Sequence, residues 1–368
     1  MNKIIVVGGG VSAWAVANAF SHKNIKINLI YDKDISFGAQ QISPNGLKSY
    51  VSLTNNKSIL NQIEKINNLK ISQLKKNNFY VLSNYNFSKN YKDFGSISRK
   101  VLVNELKKSA LKNKNVSIIK EKVKYFKNSN NKLEILTDKG NVFSADIFIG
   151  ADGYKGISRK YVTGSSKNKT KKIFRSISND IKKFILTKDM LQLFLTTEGH
   201  YVVYPFKEKN QKLVNYIFVP NSNFQKNISK HTTQNLNPLL DNIKWELTYT
   251  LESDNEFSSV TKNNLFLFGD SAFPMPPHLA QGGNQILEDA NFIKEILNKN
   301  QDIEHIISTF LNKRLNLKKI LRKNSIFSGK VLGLNNIYSL PRNIMLSNFS
   351  NSIFDEIFDL IWNNNYEK

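Results

Sequence analysis

The chain has 368 residues, 40% of them hydrophobic and 11% aromatic, enough for a substantial core in one large or two moderate domains. It contains no cysteine, which excludes disulfides, thiolate chemistry and Cys-ligated metals, and no apolar run reaches the length of a membrane span. The net charge of +24 invites a nucleic-acid partner, but it is carried mostly by dispersed lysines mixed with Asn and Ile, so none is expected.

Arginine, whose planar fork binds phosphate and carboxylate in two-point fashion, occurs only at Arg99, Arg159, Arg175, Arg314, Arg322 and Arg342. In a chain that uses Lys by default, each of these is marked as placed for its geometry. The N-terminus enters a strand directly, without a signal-peptide pattern, and a cytoplasmic enzyme is the expectation.

Lys3 to Val7 is a β-branched run that leads into Gly8-Gly9-Gly10-Val11-Ser12-Ala13 and then a small-residue helix from Trp14 to Phe20. This is G-x-G-x-x-A between a strand and a helix, the context a dinucleotide-binding turn requires. Gly8 makes the tight turn, Gly10 lets a pyrophosphate approach the backbone beside Ser12, and Ala13 keeps helix and strand close. A second strand, Ile25 to Tyr31, ends at Asp32, about twenty residues beyond the glycines, where a carboxylate takes ribose hydroxyls. Pro44-Asn45-Gly46 reads as a turn before a helix.

Strands are expected near Lys70–Leu74 and Phe79–Leu82, and a helix from Val101 to Leu111 that Ser98-Arg99 precedes. A cation at a helix start opposes the helix dipole, so Arg99 needs an anionic partner. Val116–Lys124, Lys132–Thr137 and Val142–Phe143 read as strands of a small sheet. Asp146 to Ile149 is a buried-type strand that ends in Gly150-Ala151-Asp152-Gly153. Phe174 to Pro220 alternates as a sheet does, through Phe184–Leu186, Leu191–Leu195, Tyr201–Tyr204 and Val214–Val219.

Leu265 to Phe268 is wholly apolar, as in a strand buried on both faces, and it stops at Gly269-Asp270. Pro274, Pro276 and Pro277 stiffen the loop that follows. Gly282-Gly283-Asn284 then opens an amphipathic helix whose N-terminus favours negative charge. Gln301 to Lys323 reads as a basic helix with an apolar stripe, packed with a solvated face rather than a membrane anchor. The run from Ile353 to Ile361 reads as a helix docked on its own domain or a second subunit, with a lipid-facing role the lesser alternative.

Gly8 to Ala13, Asp152-Gly153 with Ser158-Arg159, and the stretch Gly269 to Asp289 resemble, in order and in spacing, the three flavin-contacting motifs of the single-component FAD-dependent aromatic hydroxylases. The nearest branch is that of the salicylate and hydroxynicotinate hydroxylases. Phe37 to Leu47 resembles the segment that passes beside the flavin there, with Gln40 where the pattern has Gly and Gln41 next to it. Ser325 to Asn343 resembles the tail of that branch, and the likeness covers nearly the whole chain.

The resemblance implies a para-hydroxybenzoate-hydroxylase-like fold, α/β in class: a Rossmann-like FAD domain with an inserted β-rich substrate domain and C-terminal helices. Residues 1–170 and 262–330 would form the FAD part, 171–261 the substrate part and 331–368 a helical tail. Asp270 would hold the ribityl chain, Arg99 the ribityl or pyrophosphate region, and Asp152 the pyrophosphate surroundings. Gly269, Gly282, Gly283 and Asn284 would face the flavin. His200-Tyr201-Val202-Val203-Tyr204-Pro205 resembles the His-x-x-x-Tyr-Pro strand of hydroxynicotinate hydroxylases, in which the His is the base on the ring hydroxyl.

His200 and Tyr204, four apart, share one face of a strand. An unperturbed imidazole suits proton removal near neutrality. His278, after Pro277 in the proline loop, is the competing base. The implied activity is that of an NAD(P)H- and O2-dependent monooxygenase on a small aromatic ring, working through a flavin hydroperoxide, as a monomer or homodimer and without a metal. NADH and NADPH stay open as reductants.

Two other flavoenzyme readings also stay open, a quinone-pathway hydroxylase on a prenylated ring and a halogenase-like enzyme. The halogenase segment Trp-x-Trp-x-Ile-Pro is absent, since Trp14, Trp245 and Trp362 lie far apart. Outside enzymology the rival is a basic protein that retains FAD structurally.

Overall fold

A computed structural model describes residues 3–363 apart from 22, 35–36, 76–77, 130–131, 165–169, 180–188, 228–244, 252–258 and 300–301. The expected strand over Phe184–Leu186 lies outside the described residues.

Among the described residues the strands form four sheets. The first joins β1 (Lys3–Val7), β2 (Lys26–Ile30), β8 (Val116–Ile119), β12 (Ile147–Gly150), β18 (Thr261–Lys262) and β19 (Leu265–Leu267) in the order β18-β19-β12-β1-β2-β8. It is parallel throughout except for the β18–β19 edge pair. β1 explains why such strands are mostly apolar. Ile4 and Val6 face one apolar cluster while Ile5 and Val7 face another, so both sides of the strand are buried.

A second sheet of seven strands holds β5 (Asn68–Lys75), β6 (Asn78–Asn86), β13 (Thr170–Ser178), β14 (Met190–Leu195), β15 (Gly199–Glu208), β16 (Gln211–Pro220) and β17 (Glu246–Leu251), ordered β17-β13-β16-β15-β14-β5-β6. Two small sheets flank these: β3 (Ala39–Ile42), β4 (Glu64–Lys65) and β7 (Gly95–Ser98), and the meander β9 (Val123–Ser129), β10 (Lys132–Thr137) and β11 (Val142–Ser144). The helices are α1 (Val11–Phe20), α2 (Pro44–Thr54), α3 (Arg99–Ala110), α4 (Ile157–Thr163), α5 (Ser222–Asn227), α6 (Gly282–Lys299), α7 (Ile303–Leu332) and α8 (Ser339–Trp362).

Three expectations change. Val116–Lys124 is not one strand of a small sheet. Its first half is β8 of the parallel sheet and its end starts β9, because Ile118 packs against the main core while Val123 packs under the meander. The β-rich part is not confined to 171–261, since β5 pairs parallel with β14 and brings β6 with it. The basic helix runs on past Lys323 to Leu332, and Arg342 Nη1 then caps it by donating to the carbonyls of Val331, Leu332 and Leu334.

The small β3–β7–β4 sheet is tied to the seven-stranded sheet where β3 and β7 meet β15. Ser96 Oγ donates to the Pro205 carbonyl, Ser98 Oγ donates to Glu208 at 2.6 Å, and the Tyr204 hydroxyl donates to the Ala39 carbonyl at 3.2 Å. The inner face of α8 packs on the seven-stranded sheet, with Phe354 against Tyr85, Phe358 against Phe87 and Trp362 stacked on Phe94.

Candidate active site

The three glycine motifs lie at the carboxyl ends of neighbouring parallel strands, where ligands of α/β sheets bind. Gly8 follows β1 at φ +131°, and a Cβ there would sit 2.4 Å from the Ala151 carbonyl oxygen beyond β12. No residue but glycine lets these two turns approach so closely. Gly9, an unspecified position of the motif, meets the Tyr31 ring at 2.5 Å in the same sense, which sequence reasoning did not find. Gly10 is different, because a Cβ there would meet nothing within 4 Å. Its open side is the approach to the first turn of α1, as the motif requires. Ser12 and Ala13 are buried beneath it, Ser12 against Gly269, and Asp32 is exposed just after β2.

Asp152 has a different setting from the expected one. Its carboxylate accepts from Ser158 N at 3.0 Å, Ser158 Oγ at 3.1 Å and Ser271 Oγ at 3.2 Å. It therefore clasps the start of α4 to the turn after Asp270. Burial raises its pKa above the usual carboxylate range, and the Ser158 and Ser271 donors oppose that.

Asp270 forms no hydrogen bond to a described residue. Burial raises its pKa, while Arg99, Arg175 and Lys318 pull it down. Arg99 at the first turn of α3 and Arg175 on β13 each carry a buried Nε without a hydrogen-bond partner. Burial, then Arg99, lowers the Arg175 pKa to about 10. Tyr204, on the other side of the same space, is pushed up to about 12 by burial. Arg175 belongs to the site although no motif pointed to it, and its scarcity as an arginine was the one available signal.

The segment beside α6 closes this space. Asn284 Nδ2 donates to the carbonyls of Gln41 at 3.3 Å and Ala280 at 2.9 Å, and its Oδ1 accepts from Ser43 N at 3.1 Å. Gly283 leaves room for the Gln40 carboxamide, which a Cβ would approach to 2.6 Å, and Gln40 Nε2 is buried without a partner. Asn215, a polar residue in the apolar run of β16, is likewise buried, with Nδ2 unpaired. The proline loop is held from outside. Arg322 donates to the Pro274 carbonyl at 2.6 Å, Ser325 to that of Pro276 at 2.9 Å, and Arg159 to that of Ser271 at 2.7 Å. Beneath α6 a charge-balanced buried cluster pairs Arg314 with Glu288 and Asp289, and Lys318 with Asp289 at 2.8 Å. Lys318 is lowered to about 8 by burial, against the pull of Asp289, and it sits next to Gly282 and Asp270.

His200 and Tyr204 lie on the same face of β15, as their spacing predicts, and both are buried. His278 follows Pro277 in a short turn and faces His200, with ring centroids 5.5 Å apart. Neither Nδ1 has a hydrogen-bond partner. The two rings line a cavity of about 270 Å³ together with Lys171, Asn221, Thr250 and Pro276. Burial, followed by His278, Lys171 and Arg342, holds the His200 pKa well below its ordinary value. Burial and Lys171 bring that of His278 to about 3. Both imidazoles are therefore neutral near pH 7.

Residues 127–300 match the family described as FAD binding domain. The FAD-dependent monooxygenase janM of Penicillium janthinellum is 25% identical over 344 residues, covering 83% of this chain and 70% of that one. The chain thus carries an FAD-binding domain and is similar to FAD-dependent monooxygenases. Solved structures share the fold. HpxO of Klebsiella pneumoniae, complexed with FAD and uric acid, superposes with a TM-score of 0.79 at 15% identity over 98% of this chain and 96% of that one. A salicylate hydroxylase substrate complex gives 0.74 at 16% identity over 98% and 95%.

The flavoprotein's own residues fit the cofactor. The unpaired Arg99 and Arg175 guanidiniums, the unpaired Asp270 carboxylate and the open side of Gly10 are the counterparts an elongated, partly anionic ligand with free hydroxyls requires.

Proposed function

We propose that this flavoprotein hydroxylates a small electron-rich ring at the cavity lined by His200 and His278, using NAD(P)H and O2. The observation that carries this reading is the pair of facing imidazoles, His200 on the strand that also carries Tyr204 and His278 in the proline loop, each with its Nδ1 unpaired. A cavity of about 270 Å³ suits a ring compound of modest size.

Gly8, Gly10 and Ser12 would receive the pyrophosphate and Asp32 the adenosine ribose. Asp270, Arg99 and Arg175 would hold the ribityl and phosphate oxygens, and Gln40, Asn284 and the start of α6 would meet the ring's polar edge. Bound FAD supplies the reduction of O2 that the reaction needs. The protein's part is proton handling and orientation. An unprotonated His200 accepts the proton of a ring hydroxyl, which makes the ring more nucleophilic, and the nearby His278 orients the same hydroxyl or relays its proton. Pro276 and Pro277 keep the loop from yielding, and the wall of β15 keeps water from the reacting atoms.

Anaerobic addition of NADH or NADPH should bleach the flavin, faster with a suitable aromatic present. Readmitted air should then give one hydroxylated product per reduced flavin. A flavin that no nicotinamide bleaches, with or without aromatics, contradicts the proposal and favours a protein that retains FAD structurally.

A further inference from the structure

The inner face of α8 packs on the seven-stranded sheet, so its outer face should be polar. The first half of that outer face is instead apolar: Leu340, Ile344, Met345 and Phe349 are all exposed. The turn before α8 adds Ile337 and Tyr338, at 70% and 72% exposure, and the end of α7 adds Phe327 at 66%. In a chain that covers its surface with Lys and Asn, this accumulation of exposed apolar side chains at the end of α7 and the start of α8 marks an interaction surface.

Its charge surroundings are one-sided. No Asp or Glu occurs between Glu304 and Asp355. On α7, Lys319, Lys323 and Lys330 are exposed and share one face with Phe327 by spacings of four and three. No helix among the described residues is long and apolar enough to cross a membrane.

We infer that the α7–α8 corner docks on an anionic lipid surface, with Phe327, Ile337, Ile344 and Phe349 at the acyl boundary and the lysines on phosphate headgroups. A two-fold contact with a second copy would set the same lysines against each other, so lipid headgroups are the better match. An aromatic ring such as that of Tyr338 suits the interface between the two layers. The cavity that holds His200 and His278 reaches the same corner, since Gly329, Lys330, Gly333 and Leu334 line it. A lipid-dissolved ring would thus enter where the protein docks. That consequence rests on the proposed function, whereas the docking does not.

Flotation of the FAD-loaded protein with lipid vesicles tests this without any turnover. The protein should rise with vesicles of phosphatidylcholine mixed with phosphatidylglycerol, and about 10–100-fold less with phosphatidylcholine alone. Replacing Phe327, Ile337, Ile344 and Phe349 together by Ser should abolish flotation at unchanged flavin content. Lys319→Gln with Lys323→Gln should erase the preference for anionic lipid. Wild type that stays in the dense fraction with both vesicles overturns the inference, as does a four-serine variant that floats as well as wild type. Light scattering that shows a dimer which the four serines split would assign the surface to a second copy instead.

Discussion

Replacing Arg175 by Met should weaken FAD binding and at the same time stabilise the apoprotein. The guanidinium sits on β13 with its Nε unpaired, close enough to Arg99 and Asp270 for each to act on its charge. Its pKa falls from 12.5 to about 10, which at about 1.36 kcal/mol per pKa unit is a cost of about 3 kcal/mol for keeping the cation in the folded apoprotein. Met retains the stem and removes that cost, so the apoprotein should melt several degrees higher, at about 2–4 °C per kcal/mol in a domain of 150–250 residues. The bound state loses charge-assisted hydrogen bonds worth about 1.5–3 kcal/mol, so Kd for FAD should rise about 10–150-fold. Flavin-fluorescence titration of the apoprotein reads the first effect and thermal melting without flavin the second. An unchanged Kd, or an apoprotein that melts lower than wild type, refutes the assignment of Arg175 to the cofactor site.

Asp270→Ala should lose most bound flavin on purification, since a ribityl hydroxyl left unpaired costs about 1–3 kcal/mol, and a variant that stays fully yellow contradicts its role. His200→Ala should cut hydroxylation by about 10²–10⁴-fold at unchanged FAD content. If His278→Ala abolishes turnover while His200→Ala stays near wild type, the base is His278. The acid limb of the turnover profile should lie below the ordinary histidine value, because burial keeps His200 unprotonated as the pH falls. Stability should follow the same groups. Both histidines bind protons less readily folded than unfolded, so their contribution is complete above about pH 6.5 and declines as pH falls, by about 1.4 kcal/mol per unit for each. Asp152 and Asp270, with raised pKa values, act in the opposite sense at lower pH. Melting between pH 6.5 and 5.5 should show the decline, and His200→Gln with His278→Gln should flatten it.

The sequence by itself determined the turns at the strand ends. Gly8, Gly10 and Gly269 are legible as turn positions because glycine conformations, strand periodicity and the βα turn are local, set by a few consecutive residues. The equal spacing of His200 and Tyr204 on one strand face was legible for the same reason. Tertiary structure decided the rest. β5 and β6 joined the distant sheet because pairing with β14 depends on edges that no local pattern records. Asp152 turned inward to Ser158 and Ser271, 119 residues from the latter, although its motif suggested a ligand contact. Arg175, marked in the sequence only by being an arginine, and Lys318, not marked at all, became site residues only when β13 and α7 were folded near Asp270. The two histidines are 78 positions apart in the chain, and their facing rings and suppressed basicity come from the space they share. Burial and charge proximity are sums over the whole fold, which is why the chemistry of these groups is a tertiary property while the turns that frame them are not.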